Sequence, residues 1–415
     1  MVSPPAEPLP SSPAPAAADP IEAWLLAEGR HIPRTRDLVG ALCQRLIAAG
    51  MPLWRIVLSV RTIHPQILST VYYWVRDADS VVIHRGHDIV TDPIYLNSPF
   101  KVIHDGAGAL RRRLADRNLP LDFPVLEELR AQGGTDYVAM PIVFSDGTIN
   151  AVSWASDARG GFRVEDLKRI DALLPILALV LEVQSQRRTA LSLLDTYLGH
   201  RVGQRILGGE VQRGSGQTIH AVIWSSDLRG FTQLSHSLPL EELIAMLNDY
   251  FERMVGAIHA HGGEVLKFIG DGLLAIFPLG DAAFQHYVAR TALNAAAAAE
   301  RAVDELNRER QAAGKPTIRY GVALHIGDFM FGNIGAPDRL DFTVVGPAVN
   351  LTARLEALTI QLDRRLLVSA DFARAAGRPL VSLGRFALRG FNETQEVFGL
   401  PEATEDAAGE AAGAS

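Results

Sequence analysis

The sequence predicts an α/β (α+β) fold in two domains joined by a helical linker, and three observations carry that reading. The chain has 415 residues, more than one ordinary core accommodates. Residues 221–277 read strand, helix, hairpin, with a carboxylate expected at each of two turns. Residues 55–156 carry a second set of strand-like runs, and residues 167–202 between the two sets read as helix.

In chain order, residues 1–20 (MVSPPAEPLPSSPAPAAADP) lack the basic region and apolar core of a secretory signal and read as a disordered Pro/Ala-rich arm. Leu38, Leu42 and Leu46 share one helical face. Strand-like runs follow at 55–60, 69–74 and 80–84, and the pair 137–144 and 149–156 is joined by Ser145-Asp146-Gly147, a hairpin signal. His84-Arg85-Gly86-His87 has metal-ligand spacing but no second pair nearby, so it reads as a solvated loop. Arg111-Arg112-Arg113 reads as a solvated helix face. Pro175 is expected to kink or break the following helix. Leu191, Leu194, Leu198 and Val202 form an apolar stripe that would suit a two-helix seam. The glycines at 208–209 and 214–216 read as a flexible joint.

The second domain opens with the apolar strand 221–224, ending in the polar turn Ser225-Ser226-Asp227. Leu243, Leu247, Phe251, Met254 and Ile258 give its first helix one apolar face, stopped by Gly262-Gly263. Runs 265–269 and 273–277 flank Gly270-Asp271-Gly272, which places Asp271 at a hairpin tip. If that hairpin pairs beside the first strand, two carboxylates meet at one sheet end. Like charges so placed suit a divalent cation. A helix over 282–312, a strand over 319–325, a Gly-rich turn over 332–335, a strand over 342–345 and a helix from Ala348 complete the domain. Residues 403–415 read as a disordered tail.

Composition narrows the function classes. Hydrophobic content of 48% with 21% charged residues describes a globular chain, and a net charge of −7 gives no basic face for nucleic acid. The single cysteine, Cys43, excludes an intramolecular disulfide framework and suits a reducing compartment, with the cytoplasm as the expected location. No run reaches the roughly 18 to 20 apolar residues that span a bilayer.

Two resemblances follow from these residues. The stretch MPIVFSDGTINAVSWASDARGGFRVEDLKRIDALLPILALVLE resembles the last hairpin and closing helix of GAF-type small-molecule sensor domains, which implies a GAF-like sensor over 21–165 and a helical signalling linker over 166–217. The blocks SSDLRGFT, EVLKFIGDG, HIGDFMFGNIG, LDFTVVGPAVNLTARLEA and FALRGFNETQEVFGL, in that order, resemble the class III nucleotidyl cyclase catalytic domain over 218–402. That resemblance implies a ferredoxin-like core dimerising head to tail, with two Mg²⁺ (or Mn²⁺) ions per active site. It makes Asp227 and Asp271 the metal aspartates and adds the carbonyl of Leu228 as a ligand. It places the triphosphate on amides near Phe231 and Thr232, the adenine on Lys267 and Thr343, and the transition state on Asn350 and Arg354. Arg389 falls where the family usually has a phosphate-binding lysine, a change that keeps charge but alters reach. Pro347 replaces a frequent aspartate and receives no role.

Taken singly, Asp227 reads as well as a turn residue, Lys267 as a surface lysine, and Asn350 and Arg354 as helix-start and ion-pair residues. Their co-occurrence in order favours the chemistry. The implied protein is a homodimeric adenylate cyclase acting on ATP, regulated through an unidentified small-molecule or protein effector, with neither nucleic acid nor membrane as partner. A guanylate cyclase and a catalytically silent nucleotide-binding scaffold are the alternatives. Lys267 and Thr343 argue against the first, and the intact Asp227, Asp271, Asn350 and Arg354 against the second.

Overall fold

The computed structural model describes residues 19–116, 118 and 121–401. The expected tail and all but the last two residues of the expected arm lie outside them. The chain divides between Leu193 and Leu194 into two compact units.

The first unit runs α1 (Pro20–Ala27), α2 (Thr35–Ala48), β1 (Arg55–Arg61), β2 (Ile67–Val75), β3 (Val81–Gly86), α3 (Pro93–Leu96), α4 (Pro99–His104), β4 (Leu110–Arg112), α5 (Pro124–Ala131), β5 (Asp136–Val143), β6 (Ile149–Ser156) and α6 (Val164–Leu198), whose last residues fall past the division. Its strands form one antiparallel sheet in the order β3-β2-β1-β6-β5-β4. Strand alternation sends Ile56, Leu58 and Val60 to one face, where they pack with Leu38 and Leu42 of α2 and Leu173 and Leu177 of α6. Ile103, Leu126 and Leu129 from α4 and α5 close over Tyr137, Ala139 and Ala151.

Several readings of this unit are corrected. α6 runs unbroken through Pro175. The backbone hydrogen bond that proline removes is offset by the burial of Leu173, Leu174 and Leu177 around it. His84 lies within β3, not in a loop, and its Nδ1 meets Thr70 Oγ1 at 3.2 Å. Among the described residues no cluster of three metal-ligating side chains occurs. Arg111 and Arg112 lie on a strand, not a helix, and Arg111 is consumed by an internal ion pair. The apolar stripe does not continue along one helix. Gly199, at φ 84°, ends α6, and Val202 is buried on the next helix with Ile219 and Ile223.

The second unit runs α7 (His200–Leu207), β7 (Gly216–Leu228), α8 (Phe231–Ser237), α9 (Leu240–Ala260), β8 (Glu264–Ile269), β9 (Gly272–Pro278), α10 (Gln285–Ala312), β10 (Tyr320–Ala336), β11 (Arg339–Val345), α11 (Pro347–Gln361), β12 (Leu366–Ser369), α12 (Ala370–Ala376), β13 (Val381–Phe386) and β14 (Gln395–Gly399). The succession β7-α9-β8-β9-α10-β10 builds four strands in the order β10-β7-β9-β8, the split βαβ arrangement of ferredoxin-like domains. β12, β14 and β13 extend the sheet beyond β10, and β11 folds back on β10. On one face Trp224 and Phe277, with ring centroids 6.4 Å apart, pack among Met254, Leu293 and Leu324. On the other, Val202 joins Ile223, Ile276 and Phe331, and α11 inserts Leu351 and Leu355 against Ala323 and Leu367.

Two elements here are longer than their apolar cores suggested. β7 begins at Gly216 and carries Ser225, Ser226 and Asp227 inside the strand, so Gly216 belongs to a strand and not to a joint. β10 continues through residues 332–335, which pair with β11 and form no turn. In α9 the buried face comprises Leu243, Met246, Tyr250, Met254 and Ile258, with Leu247 and Phe251 only half-buried at its edge. Among the described residues no helix is long and apolar enough to cross a membrane.

The Arg111 pair generates a stability prediction. Asp136 is 1% exposed. It accepts from Arg111 Nη2 at 2.5 Å and from the Phe162 amide at 3.0 Å, while Arg111 also reaches the Phe162 carbonyl at 2.8 Å. Removing one partner of a buried pair leaves the other charge uncompensated, so Arg111→Ala should destabilise the first unit by about 3 kcal/mol. Denaturant melts check this, with Arg111→Ala/Asp136→Ala recovering part of the loss. Unchanged stability in the single variant would contradict it.

Candidate active site

The site begins with strand pairing. β7 pairs antiparallel with β9, Ser226 opposite Leu273, so the β8–β9 turn holding Asp271 comes to the end of β7 beside Asp227. Gly270 turns the chain at φ 62°. At Gly272 a Cβ would stand 2.6 Å from the Ser226 carbonyl oxygen and 2.8 Å from Asp227 Oδ1, so only glycine lets the two carboxylates approach.

Burial pushes the Asp227 carboxyl up to about 6, and the charge of Asp271 adds to the shift. Burial likewise raises Asp271. A third acid, Glu356 of α11, is buried and rises to about 7 through that burial and the charge of Asp227, with Arg229 opposing. Arg229 fixes the corner between β7 and α8: it donates to the carbonyls of Thr359 and Arg364 at 2.8 and 2.6 Å and pairs with Asp363 at 3.0 Å. Neither Asp227 nor Asp271 has a side-chain ion-pair partner among the described residues. Two half-buried carboxylates meeting over a glycine form a donor set that fits a hard divalent ion. Leu228, whose carbonyl the sequence reading adds to that set, is the last residue of β7.

A second cluster forms where the β10–β11 hairpin meets β8. Lys267 Nζ donates to Thr343 Oγ1 at 2.7 Å and to Asp341 Oδ2 at 3.0 Å. Thr343 and Asp341 are two apart on β11 and so share one strand face. The sequence reading paired Lys267 with Thr343 and missed Asp341, although the period-2 spacing was available as a signal. Glu356 and Arg229, which the sequence pattern alone does not single out, lie within LDFTVVGPAVNLTARLEA and SSDLRGFT.

The remaining candidates stand apart from these clusters. Asn350 and Arg354 lie on an exposed face of α11, while Leu351 and Leu355 are on its buried face. Arg354 has no ion-pair partner among the described residues. Phe231 and Thr232 open α8, after Gly230 at φ 73°. Arg389 is exposed in the loop between β13 and β14.

Comparisons with known proteins bear on this unit. Residues 216–398 match the family model "Adenylate and Guanylate cyclase catalytic domain". An adenylate cyclase of Anabaena cylindrica is 33% identical over 197 residues, 46% of this chain and 37% of that protein. Adenylate cyclase 1 of Rhizobium meliloti is 32% identical over 146 residues, 35% of this chain and 21% of that protein. Among solved structures, a bacterial light-regulated adenylyl cyclase is 30% identical, covering 56% of this chain and 66% of that chain at a TM-score of 0.45. The chain thus spans well under half the length of the first two relatives.

The paired carboxylates predict opposite responses with and without metal. Asp227→Asn removes a repelling buried charge and should raise the melting temperature of the metal-free chain by about 2–4 °C per kcal/mol gained. Mn²⁺ should raise the melting temperature of the unaltered chain and leave the variant unmoved. A variant that melts lower, or still responds to Mn²⁺, would contradict the assignment.

Proposed function

Residues 216–398 belong to the adenylate and guanylate cyclase catalytic domain family, and from that premise we propose that the chain converts ATP to 3′,5′-cyclic AMP and pyrophosphate. The observation that carries the choice of base is the Lys267–Thr343 hydrogen bond of 2.7 Å. An ammonium only donates, so Lys267 suits the adenine N1 acceptor and opposes the N1–H of guanine. Thr343 Oγ1 keeps a second lone pair to accept from the adenine amino group.

Asp227 and Asp271, with the carbonyl of Leu228, would hold the divalent ions, two Mg²⁺ or Mn²⁺ per site. Bound there, such ions lower the pKa of the ribose 3′-hydroxyl and neutralise the triphosphate. The first-turn amides of Phe231 and Thr232 lack intrahelical acceptors and are free to donate to phosphate oxygens. Arg389 approaches the same anion from its loop. On α11, Asn350 orients the ribose and the Arg354 guanidinium engages charge developing on the transferred phosphoryl group, binding the transition state more tightly than the ground state.

The assembly proposed is a homodimer in which one protomer contributes the aspartates and its partner contributes Lys267, Thr343, Asn350 and Arg354. Phe268 and Ile269, next to Lys267, are 53% and 57% exposed, and Val345, two residues past Thr343, is 53% exposed. So many apolar side chains around a polar cluster favour a covered face. The first unit, read as a GAF-like sensor, regulates the second by shifting the dimer between productive and unproductive arrangements, which needs only a few kcal/mol.

One observation favours a second reading, a guanylate cyclase. Asp341 beside Lys267 is an acceptor of the kind that the guanine N1–H and amino group require. Product formation by the purified chain from ATP or GTP, in Mg²⁺ and Mn²⁺, separates the two. Cyclic AMP from ATP alone is expected. Lys267→Ala should lower kcat/KM by roughly 30- to 150-fold, the equivalent of 2–3 kcal/mol for a charged hydrogen bond. Asp341→Asn should retain activity on ATP. Product from GTP alone, lost in Asp341→Asn, would establish the second reading, and no product from either nucleotide would overturn both.

A further inference from the structure

The first unit contains a cavity of about 650 Å³ that the proposed chemistry does not use. It lies on the face of the sheet opposite the α2–α6 core. Alternation along β1 sends Ile56, Leu58 and Val60 into that core and leaves Arg55, Val57, Ser59 and Arg61 lining the cavity. Val71 and Tyr73 of β2 extend the floor, and Tyr95, Phe100 and His104 from the α3–α4 segment stand over it.

The charges on this wall are unbalanced. Arg55 is matched by Glu128 at 3.3 Å, the one acidic residue among the described lining residues. Arg61 and Arg85 have no side-chain ion-pair or hydrogen-bond partner among the described residues. Strand register sets these two in a single row: Arg61 is opposite Ser69 on β2, and Ser69 is opposite Arg85 on β3. Adjacent strands lie about 4.8 Å apart, so the two arginine backbones flank Ser69 at roughly 10 Å, within converging reach of one anion. The hydroxyls of Ser69 and Ser59, residues 8% and 4% exposed, make no hydrogen bond among the described residues. His104 receives Tyr95 at Nδ1, 3.0 Å away, while its Nε2 is buried without a partner. Burial and the neighbouring Arg61 lower its pKa to about 4, so the ring is neutral at pH 7. The mouth is apolar: Val90 and Ile94 line the cavity and are 49% and 79% exposed.

We propose that this cavity binds a small organic anion, its aromatic or apolar body seated over Val57, Val71 and Tyr73 and its acidic group held by Arg61 and Arg85 across Ser69. The volume matches a drug-sized molecule, most of whose surface is buried on binding. Guanidinium pairs recognise carboxylate, sulfonate and phosphate alike through charge-assisted hydrogen bonds. The buried, unpartnered His104 Nε2 then gains a partner from the ligand. An inorganic anion alone would leave the apolar mouth and the Val57–Tyr73 floor uncovered, so the body contributes as much as the charge.

A matched pair of probes tests this on the full chain, with fluorescence as a readout independent of nucleotide turnover. 1-Anilinonaphthalene-8-sulfonate carries the anion, and N-phenyl-1-naphthylamine is the same body without it. Arg61→Gln/Arg85→Gln should weaken the sulfonate probe about tenfold or more while the neutral probe changes less than about twofold. Ser59→Trp, which fills the floor, should abolish both, with circular dichroism confirming that each variant remains folded. Millimolar inorganic phosphate should fail to displace the sulfonate probe. The proposal is overturned if the chain binds no sulfonate probe, if Ser59→Trp leaves binding intact, if both probes respond alike to loss of the arginines, or if inorganic phosphate displaces the probe.

Discussion

Pairing of β7 on both sides is the constraint on which the C-terminal unit depends. β10 holds it along its length from Gly216 to Leu228, and β9 holds Ala221 to Ser226 from the other side. A strand fixed in two ladders cannot relax its tip, so Asp227 stays beside Asp271 despite their mutual repulsion. Trp224 and Phe277 bury the same strands against α9 and α10, so the energy that holds the carboxylates together comes from the core. A cation bound between the two carboxylates, as proposed, would relieve that repulsion.

Much of this was legible in the sequence, and the reason is periodicity. The order strand, helix, hairpin over 221–277, the glycines around Asp271 and the helical face of α9 all follow from local patterns that tertiary context preserved. Long strands were read short: the polar tip of β7 and the glycine-rich end of β10 look like turns until a partner strand supplies their hydrogen bonds. Pro175 does not break α6, where Leu173, Leu174 and Leu177 are buried around it. Arg111 illustrates a further limit, since its partner Asp136 lies on another strand and nothing local announces the pair. Asp341 is two residues before Thr343 on β11, so strand alternation alone puts it on the same face.

The two polar clusters of the C-terminal unit are each built by a different hairpin. β8–β9 presents Asp271, and β10–β11 presents Thr343 and Asp341 to Lys267. Asn350 and Arg354 face solvent on α11 with their helix anchored from behind by Leu351 and Leu355. The helix fixes where the Arg354 backbone stands, while its exposed side chain still gives up rotamer freedom on engagement. In the proposed assembly, a second copy of the chain would supply the counterpart to this face.

That claim is tested most directly by complementation between two inactive chains. Asp227→Ala removes the cation side of the site and Arg354→Ala the guanidinium side. Co-purified heterodimers, with composition confirmed by differential tags, retain one intact site if each site draws on both protomers. The account predicts cyclic AMP formation by the mixture, at up to about half the activity of the unaltered dimer, where neither variant alone forms any. Confirmed heterodimers that remain inactive would contradict the shared site.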